Sequence, residues 1–161
     1  MLGEQRIATM TRHPNPSLPN PSLRRLIQAE PFAVRQALQD LLNHFPLNAL
    51  DPDQRGTVEV VLAEVFNNIV EHAYADDPGE IEVEITQIGQ HLRCMLRDWG
   101  RPMPEAKLPT GALPQFTDGL DAPEGGFGWY LIRAMASDLK YQRDAEQNLL
   151  TFQLEIDASS H

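Results

Sequence analysis

Cysteine is nearly absent from this chain. Cys94 stands alone among 161 residues, so an internal disulfide and a cysteine-rich metal site are both excluded, and a reducing cytoplasm is the expected compartment. Basic residues are scarce as well: 13 Lys plus Arg oppose 23 Asp plus Glu, for a formal net charge of -10. Such a balance argues against recognition of a nucleic-acid backbone, which needs a basic face. Long apolar runs are missing, since none approaches the roughly 18 residues of a spanning helix, and residues 1–25 lack the apolar core of a signal peptide. The sequence has no H-E-x-x-H and no G-x-S-x-G, and its few serines lie in a proline-rich arm, at the termini or at a helix end, so hydrolase chemistry has no nucleophile setting. Neither Lys107 nor Lys140 follows a glycine, and the P-loop ending is therefore absent too.

The chain does have enough apolar residues, 42%, for one soluble domain with a single core. Charge is spread unevenly: residues 1–25 are net +3 and the rest net -13. Ten of the acidic residues fall between Asp51 and Glu84, where Arg55 is the only opposing charge. A site for an anionic ligand in such a body must bring in a cation or use backbone N–H groups.

Residues 1–21, which include TRHPNPSLPNP, are expected to form a flexible arm. Leu23–Gln28 reads as a short edge strand. Phe32, Val34, Leu38, Leu41, Leu42 and Phe45 recur at three- and four-residue steps, predicting a helix that Pro46 stops. A longer helix is expected from about Asp53 to Ala75 on the stripe Val58, Val61, Leu62, Val65, Phe66, Ile69, Val70 and Ala73. The period then changes. Ile81, Val83 and Ile85 alternate with glutamates, Gly89-Gln90 turns the chain, and Leu92, Cys94 and Leu96 continue an inward row that ends on Asp98. Five prolines between 102 and 123 mark a long irregular loop of the kind usually kept for function. Glycines 125, 126 and 128 lead into a helix, WYLIRAMASDL, and two final strands, LKYQRD and LLTFQLEID. Strands in antiparallel pairs with helices laid on one face predict an α+β sandwich.

Three constellations carry chemistry. Glu64, Asn68 and His72, spaced four apart, stack along one helix face, where an acid can hold a hydroxyl and an amide oxygen a hard cation. On that spacing alone, the plainer reading is an exposed polar face with ordinary i,i+4 pairing, since E-x-x-x-N is common in any helix. Asp98 at the end of an apolar inward row needs a donor such as the exocyclic amine of a heterocycle, with Gly100 letting a flat ring approach the backbone; a turn aspartate is the plainer alternative. Gly126, Phe127 and Gly128, opening a helix, offer backbone N–H groups to an anion or form a simple hinge. Cys94 reads as a packed core residue, and Trp99 and Trp129 as packing residues with adenine stacking as a lesser option.

Taken in order, Glu64-Val65-Phe66-Asn67-Asn68, Asp98-Trp99-Gly100 and Gly126-Phe127-Gly128 resemble the N, G1 and G2 boxes of the histidine-kinase-like (GHKL, Bergerat-fold) ATPase superfamily. AEVFNNIVEHAY, RDWGRPMP and EGGFGWYLIRAMASDLKY look like the small anti-sigma-factor serine kinases of bacterial partner-switching systems. The resemblance spans about residues 23–156. It implies a Bergerat-type α/β sandwich over 22–157, with a mixed, mostly antiparallel sheet and a lid loop at about 102–124. It implies that Asn68 coordinates Mg²⁺ on the phosphates of ATP and that Glu64 is the general base for an acceptor serine. Asp98 would accept from the adenine amino group, Gly100 would shape the adenine pocket, and Gly126, Phe127 and Gly128 would give the lid its hinge and contact the phosphates. Three features depart from the family pattern. Pro102 stands where many relatives carry a second glycine. Glu124 occupies the place of a lid arginine, which turns attention to Lys107 as the phosphate cation. An adenine-side threonine on the last hairpin has Thr151 as its candidate if the register allows it. The implied activity is an ATP- and Mg²⁺-dependent serine/threonine protein kinase acting on an anti-sigma-factor antagonist and holding a sigma factor or other regulator, in transcription regulation. A homodimer is left open, and no direct nucleic acid or membrane is expected as a partner. A non-catalytic nucleotide-binding partner-switch module and a detached histidine-kinase ATP-binding domain are the alternatives.

Overall fold

The computed structural model describes residues 19–75, 77–111 and 128–156. It begins with β1 (Ser22–Gln28), α1 (Pro31–Leu42), a 3₁₀ turn at 47–49 and α2 (Pro52–Asn68), which runs into a π-helical turn at 69–73. The hairpin β2 (Glu80–Ile88) and β3 (His91–Asp98) follows, then α3 (Gly128–Met135) and the hairpin β4 (Ser137–Asp144) and β5 (Gln147–Glu155). The five strands form one sheet in the order β1-β2-β3-β5-β4, and every pairing is antiparallel. An α+β sandwich of the expected class results, its described sheet wholly antiparallel rather than mixed.

Local chemistry explains the helix starts. Glu30 caps α1 by accepting from the N–H groups of Phe32 and Ala33, and Asp51 caps α2 by accepting from Gln54 N at 2.8 Å; a proline follows each cap. Both arrangements satisfy donors that a helix start leaves unpaired. The helices cover one face of the sheet. Ile81, Val83 and Ile85 of β2, Leu92, Cys94 and Leu96 of β3 and Leu150, Phe152 and Leu154 of β5 pack under Val58, Val61, Leu62, Val65 and Phe66 of α2. Cys94 is fully buried, and burial pushes its thiol up to about 12, so it is a core residue rather than a nucleophile. Glu82 on the opposite face is bridged by Arg24 at 2.7 Å and Arg97 at 3.2 Å. Part of the acidic run is therefore paired across strands β1, β2 and β3.

Three helix ends differ from expectation: α1 stops at Leu42 rather than running through Phe45 to Pro46, and Phe45 is exposed. The long helix does not stay α-helical to Ala75: Tyr74 N reaches back to Ile69 O, and Ala75 takes a left-handed φ of 50°. The helix expected over WYLIRAMASDL ends at Met135. Ser137 already belongs to β4, and the register shifts between Ser137 and Lys140, where Asp138 has φ 51°. Pairing with β5 outweighs the helical tendency of those residues, as tertiary context often does.

The arm expected over residues 1–21 lies outside the described residues as far as residue 18. Of the lid loop, 102–111 are described and 112–124 are not.

Candidate functional site

A cleft of about 440 Å³ opens between the end of α2, the end of β3, the start of the lid loop and α3. Its lining includes Asn68, His72, Asp98, Arg101, Met103, Trp129, Tyr141 and Asn148. The size suits a small organic ligand.

On α2, Asn68 lines the cleft, and Glu64 stands one helical turn before it, outside the cleft wall. Asn68 is the last α-helical residue before the π turn, a irregularity often found at functional sites. Its Nδ2 is buried and has no hydrogen-bond partner among the described residues. Against these two side chains stands Gly128, the first residue of α3. A Cβ placed there would lie 2.7 Å from Glu64 Oε2 and 3.6 and 3.7 Å from Nδ2 and Oδ1 of Asn68. The third glycine of the GGFG run and the E-x-x-x-N helix thus share one small space. No hydrogen bond or ion pair ends on Glu64 among the described residues. His72 follows the π turn and its side chain is 72% exposed, so it stands at the cleft's edge.

Asp98 forms the floor. It is 4% exposed, and its Oδ1 accepts from Gly100 N at 3.0 Å and Asn148 Nδ2 at 2.7 Å. Burial raises its carboxyl above the ordinary value of 3.8, opposed by the Asn148 amide, the Gly100 N–H and the positive charge of Arg143. Asn148 Oδ1 in turn accepts from Tyr141 Oη at 2.6 Å and Arg143 Nη1 at 3.0 Å. Arg143 Nη1 also donates to Gly100 O at 2.7 Å, and Met103 N to Tyr141 Oη at 2.9 Å. The last hairpin therefore clamps the loop after β3. On the other side, Tyr74 Oη accepts from Trp99 N at 2.9 Å and donates to Glu80 O. Its phenol is raised chiefly by burial.

The other expected site residues are placed as follows by the fold. Gly100 is pressed by the end of the π turn: a Cβ there would collide with the Ala73 carbonyl, whose carbon is 2.6 Å away. Arg101 N donates to that same carbonyl at 2.6 Å. Thr151 is on the wrong face. It stands between Met95 and Lys140 in the register, while Asn148, Leu150 and Phe152 point inward; Asn148 takes the place beside Asp98. Lys107 is exposed and is not part of the cleft wall, where Arg101 is the arginine present. Trp129 lines the cleft and packs on the core, whereas Trp99 is 39% exposed. Gly126 and Phe127, with Gly125 and Glu124, lie outside the described residues. Sequence reasoning missed Asn148, Tyr141 and Arg143 entirely; an inward alternation continued back from Phe152 and Leu150 would have reached Asn148.

Among the described residues no helix is long and apolar enough to cross a membrane, and no group of three or more His, Cys, Asp or Glu could hold a metal ion.

The serine-protein kinase RsbW of Bacillus mycoides (strain KBAB4) is 28% identical over 100 residues, covering 61% of this chain and 62% of the relative. RsbW of Oceanobacillus iheyensis is 33% identical over 86 residues, covering 52% and 54%. The match thus spans between half and two thirds of these curated relatives. The crystal structure of the RsbU and RsbW domains of Rv1364c from Mycobacterium tuberculosis shares the fold, with a TM-score of 0.56 at 19% identity over 86% of this chain and 34% of that one. The family model described as the histidine kinase-like ATPase domain matches residues 27–154, well over half of the sequence, and this chain belongs to that family.

Proposed function

We propose that the domain binds Mg·ATP in this cleft and transfers the γ-phosphoryl group to a serine of a small anti-sigma-factor antagonist, and that it holds a sigma factor or another regulator when the antagonist is absent. The observation that carries the reading is Asn68: a buried amide nitrogen with no partner among the described residues, beside Glu64 and Gly128, at a cleft floored by Asp98. Such a group costs about 1–3 kcal/mol if nothing satisfies it, and as an N–H donor it can be satisfied by a phosphate oxygen. The relatives named serine-protein kinase support the reaction class.

The residues suit the ligands. Asn68 Oδ1 is a hard oxygen donor of the type Mg²⁺ takes, and the start of α3 at Gly128 can direct N–H groups at phosphate oxygens. When bound, Mg²⁺ would supply the positive charge that a chain of net charge -10 lacks. The protein's own contribution is mostly placement. Glu64, half-buried and without a protein donor among the described residues, has its oxygens available for the proton of an acceptor hydroxyl. Asp98 Oδ2, which receives no hydrogen bond from the described residues, is available for an exocyclic N–H. Arg101 adds a cation at the cleft wall, in place of the expected Lys107.

Titration calorimetry with ATP, with and without Mg²⁺, and labelled-ATP transfer to the cognate antagonist test this reading. Binding that depends on Mg²⁺ and label on a serine are expected, with transfer reduced about 100-fold or more in Glu64→Ala. Transfer by Glu64→Ala at the wild-type rate would remove its role as base. Tight binding without transfer to any antagonist would leave a non-catalytic partner-switch module, and label on a partner's histidine a detached histidine-kinase domain.

A further inference from the structure

The clamp behind Asp98 has a direction built into it. Asp98 and Asn148 are cross-strand partners on β3 and β5, each only 4% exposed. Arg143 can only donate, and Tyr141 Oη, which already accepts from Met103 N, donates its proton. Both donate to Asn148 Oδ1, so the amide has one orientation. Its Nδ2 must face Asp98 Oδ1 at 2.7 Å and Arg101 O at 2.8 Å. Gly100 N fills the rest of Oδ1. Only Oδ2 remains for a ligand in the cleft.

We propose that Asn148 is a positioning residue for base selectivity: by committing one carboxylate oxygen of Asp98, it leaves the other as a fixed acceptor that takes an aminopurine and rejects an oxopurine. An acceptor-only group pairs with the exocyclic amine of adenine and meets the O6 of guanine with an unpaired, repelling oxygen. Without the Asn148 donor, the Asp98 carboxyl can turn about its side-chain axis or keep a proton and donate it, and either change blurs the distinction. Tyr141 and Arg143 act one step further back, by holding the amide.

The inference rests on the ATP reading of the cleft, and the test separates the two. Affinities of the full chain for ATP, GTP and purine riboside triphosphate, which lacks the amine, are measured by calorimetry for wild type and Asn148→Leu. Wild type is expected to favour ATP over purine riboside triphosphate by about tenfold or more, the size of a hydrogen bond to a charged group. In Asn148→Leu that preference falls below about threefold, GTP gains relative to ATP, and purine riboside triphosphate binds within about twofold of its wild-type affinity. A wild type with no preference for ATP sinks the nucleotide reading and this inference with it. A selective wild type whose Asn148→Leu variant is equally selective, or weakened alike for all three ligands, overturns the role of Asn148 alone. Tyr141→Phe, which leaves the core packing in place, is expected to lose part of the preference; if Asn148→Leu does not fold, full selectivity in Tyr141→Phe overturns the proposal.

Discussion

Replacing Gly128 by alanine separates what the fold needs from what the site needs. The residue opens α3 and has no left-handed φ, so alanine suits its backbone and helix propensity favours the change by up to about 1 kcal/mol. The new Cβ would start 2.7 Å from Glu64 Oε2 and must stand at least about 3.2 Å away, so the carboxylate is pushed aside by about half an ångström or more. Glu64 is half-buried and makes no hydrogen bond among the described residues, so it yields at little cost. Asn68, at 3.6 and 3.7 Å from the new methyl, is merely touched. Urea denaturation should therefore find Gly128→Ala between equal to wild type and about 1 kcal/mol more stable. Phosphoryl transfer should fall by about 10- to 100-fold, since shifts near 1 Å in a reacting group cost that much. A destabilisation of about 2 kcal/mol would mean that α3 and α2 are packed more rigidly than this geometry implies. An unchanged transfer rate would mean that Glu64 does not act from the position it occupies here.

Gly100→Ala should behave in the opposite manner, because its Cβ meets the backbone of Ala73 rather than a mobile side chain. A loss of about 1–3 kcal/mol is expected in the unfolding free energy from urea denaturation, as for other overpacked sites. For Asp98, burial raises the folded-state carboxyl, so the folded chain retains a proton that the unfolded chain has released as pH rises above 3.8. Its contribution to stability therefore falls with rising pH through that window. Asp98→Asn should flatten this slope in thermal melts followed against pH while abolishing the preference for ATP over purine riboside triphosphate; an unaltered slope would refute the burial argument. Cys94, fully buried with its thiol pushed up to about 12, should resist a thiol reagent at pH 8 until the chain unfolds. Labelling of the native protein within seconds would contradict its place in the core.

The functional ends of the elements were legible because each is set by local pattern. The four-residue spacing of Glu64 and Asn68 needs only a helix, and the alternation from Leu92 to Asp98 needs only a strand of known inward face. A glycine at the head of a helix needs no partner to be recognised. Those signals fixed the order of the elements, the α+β class and the inward burial of Asp98. The resemblance to the ATPase superfamily rested on the same residues, and the family match over residues 27–154 agrees with it.

What the chain's pattern left open are facts of juxtaposition. Asn148 follows a turn at 145–146 and reads locally as a turn residue; it faces Asp98 only because β5 pairs antiparallel with β3 in a register that sets 98 opposite 148. That register also turns Thr151 away from the cleft, since a shift of an odd number of residues exchanges the two faces of a strand. Arg143 and Tyr141 reach the amide from β4, and Gly100 proves to be a glycine because a carbonyl of the preceding helix end stops against it. Periodicity along a chain reports which face a residue is on. Which distant residue shares that face is decided by pairing, and in this domain the pairing joins the carboxylate of one hairpin to the amide of another.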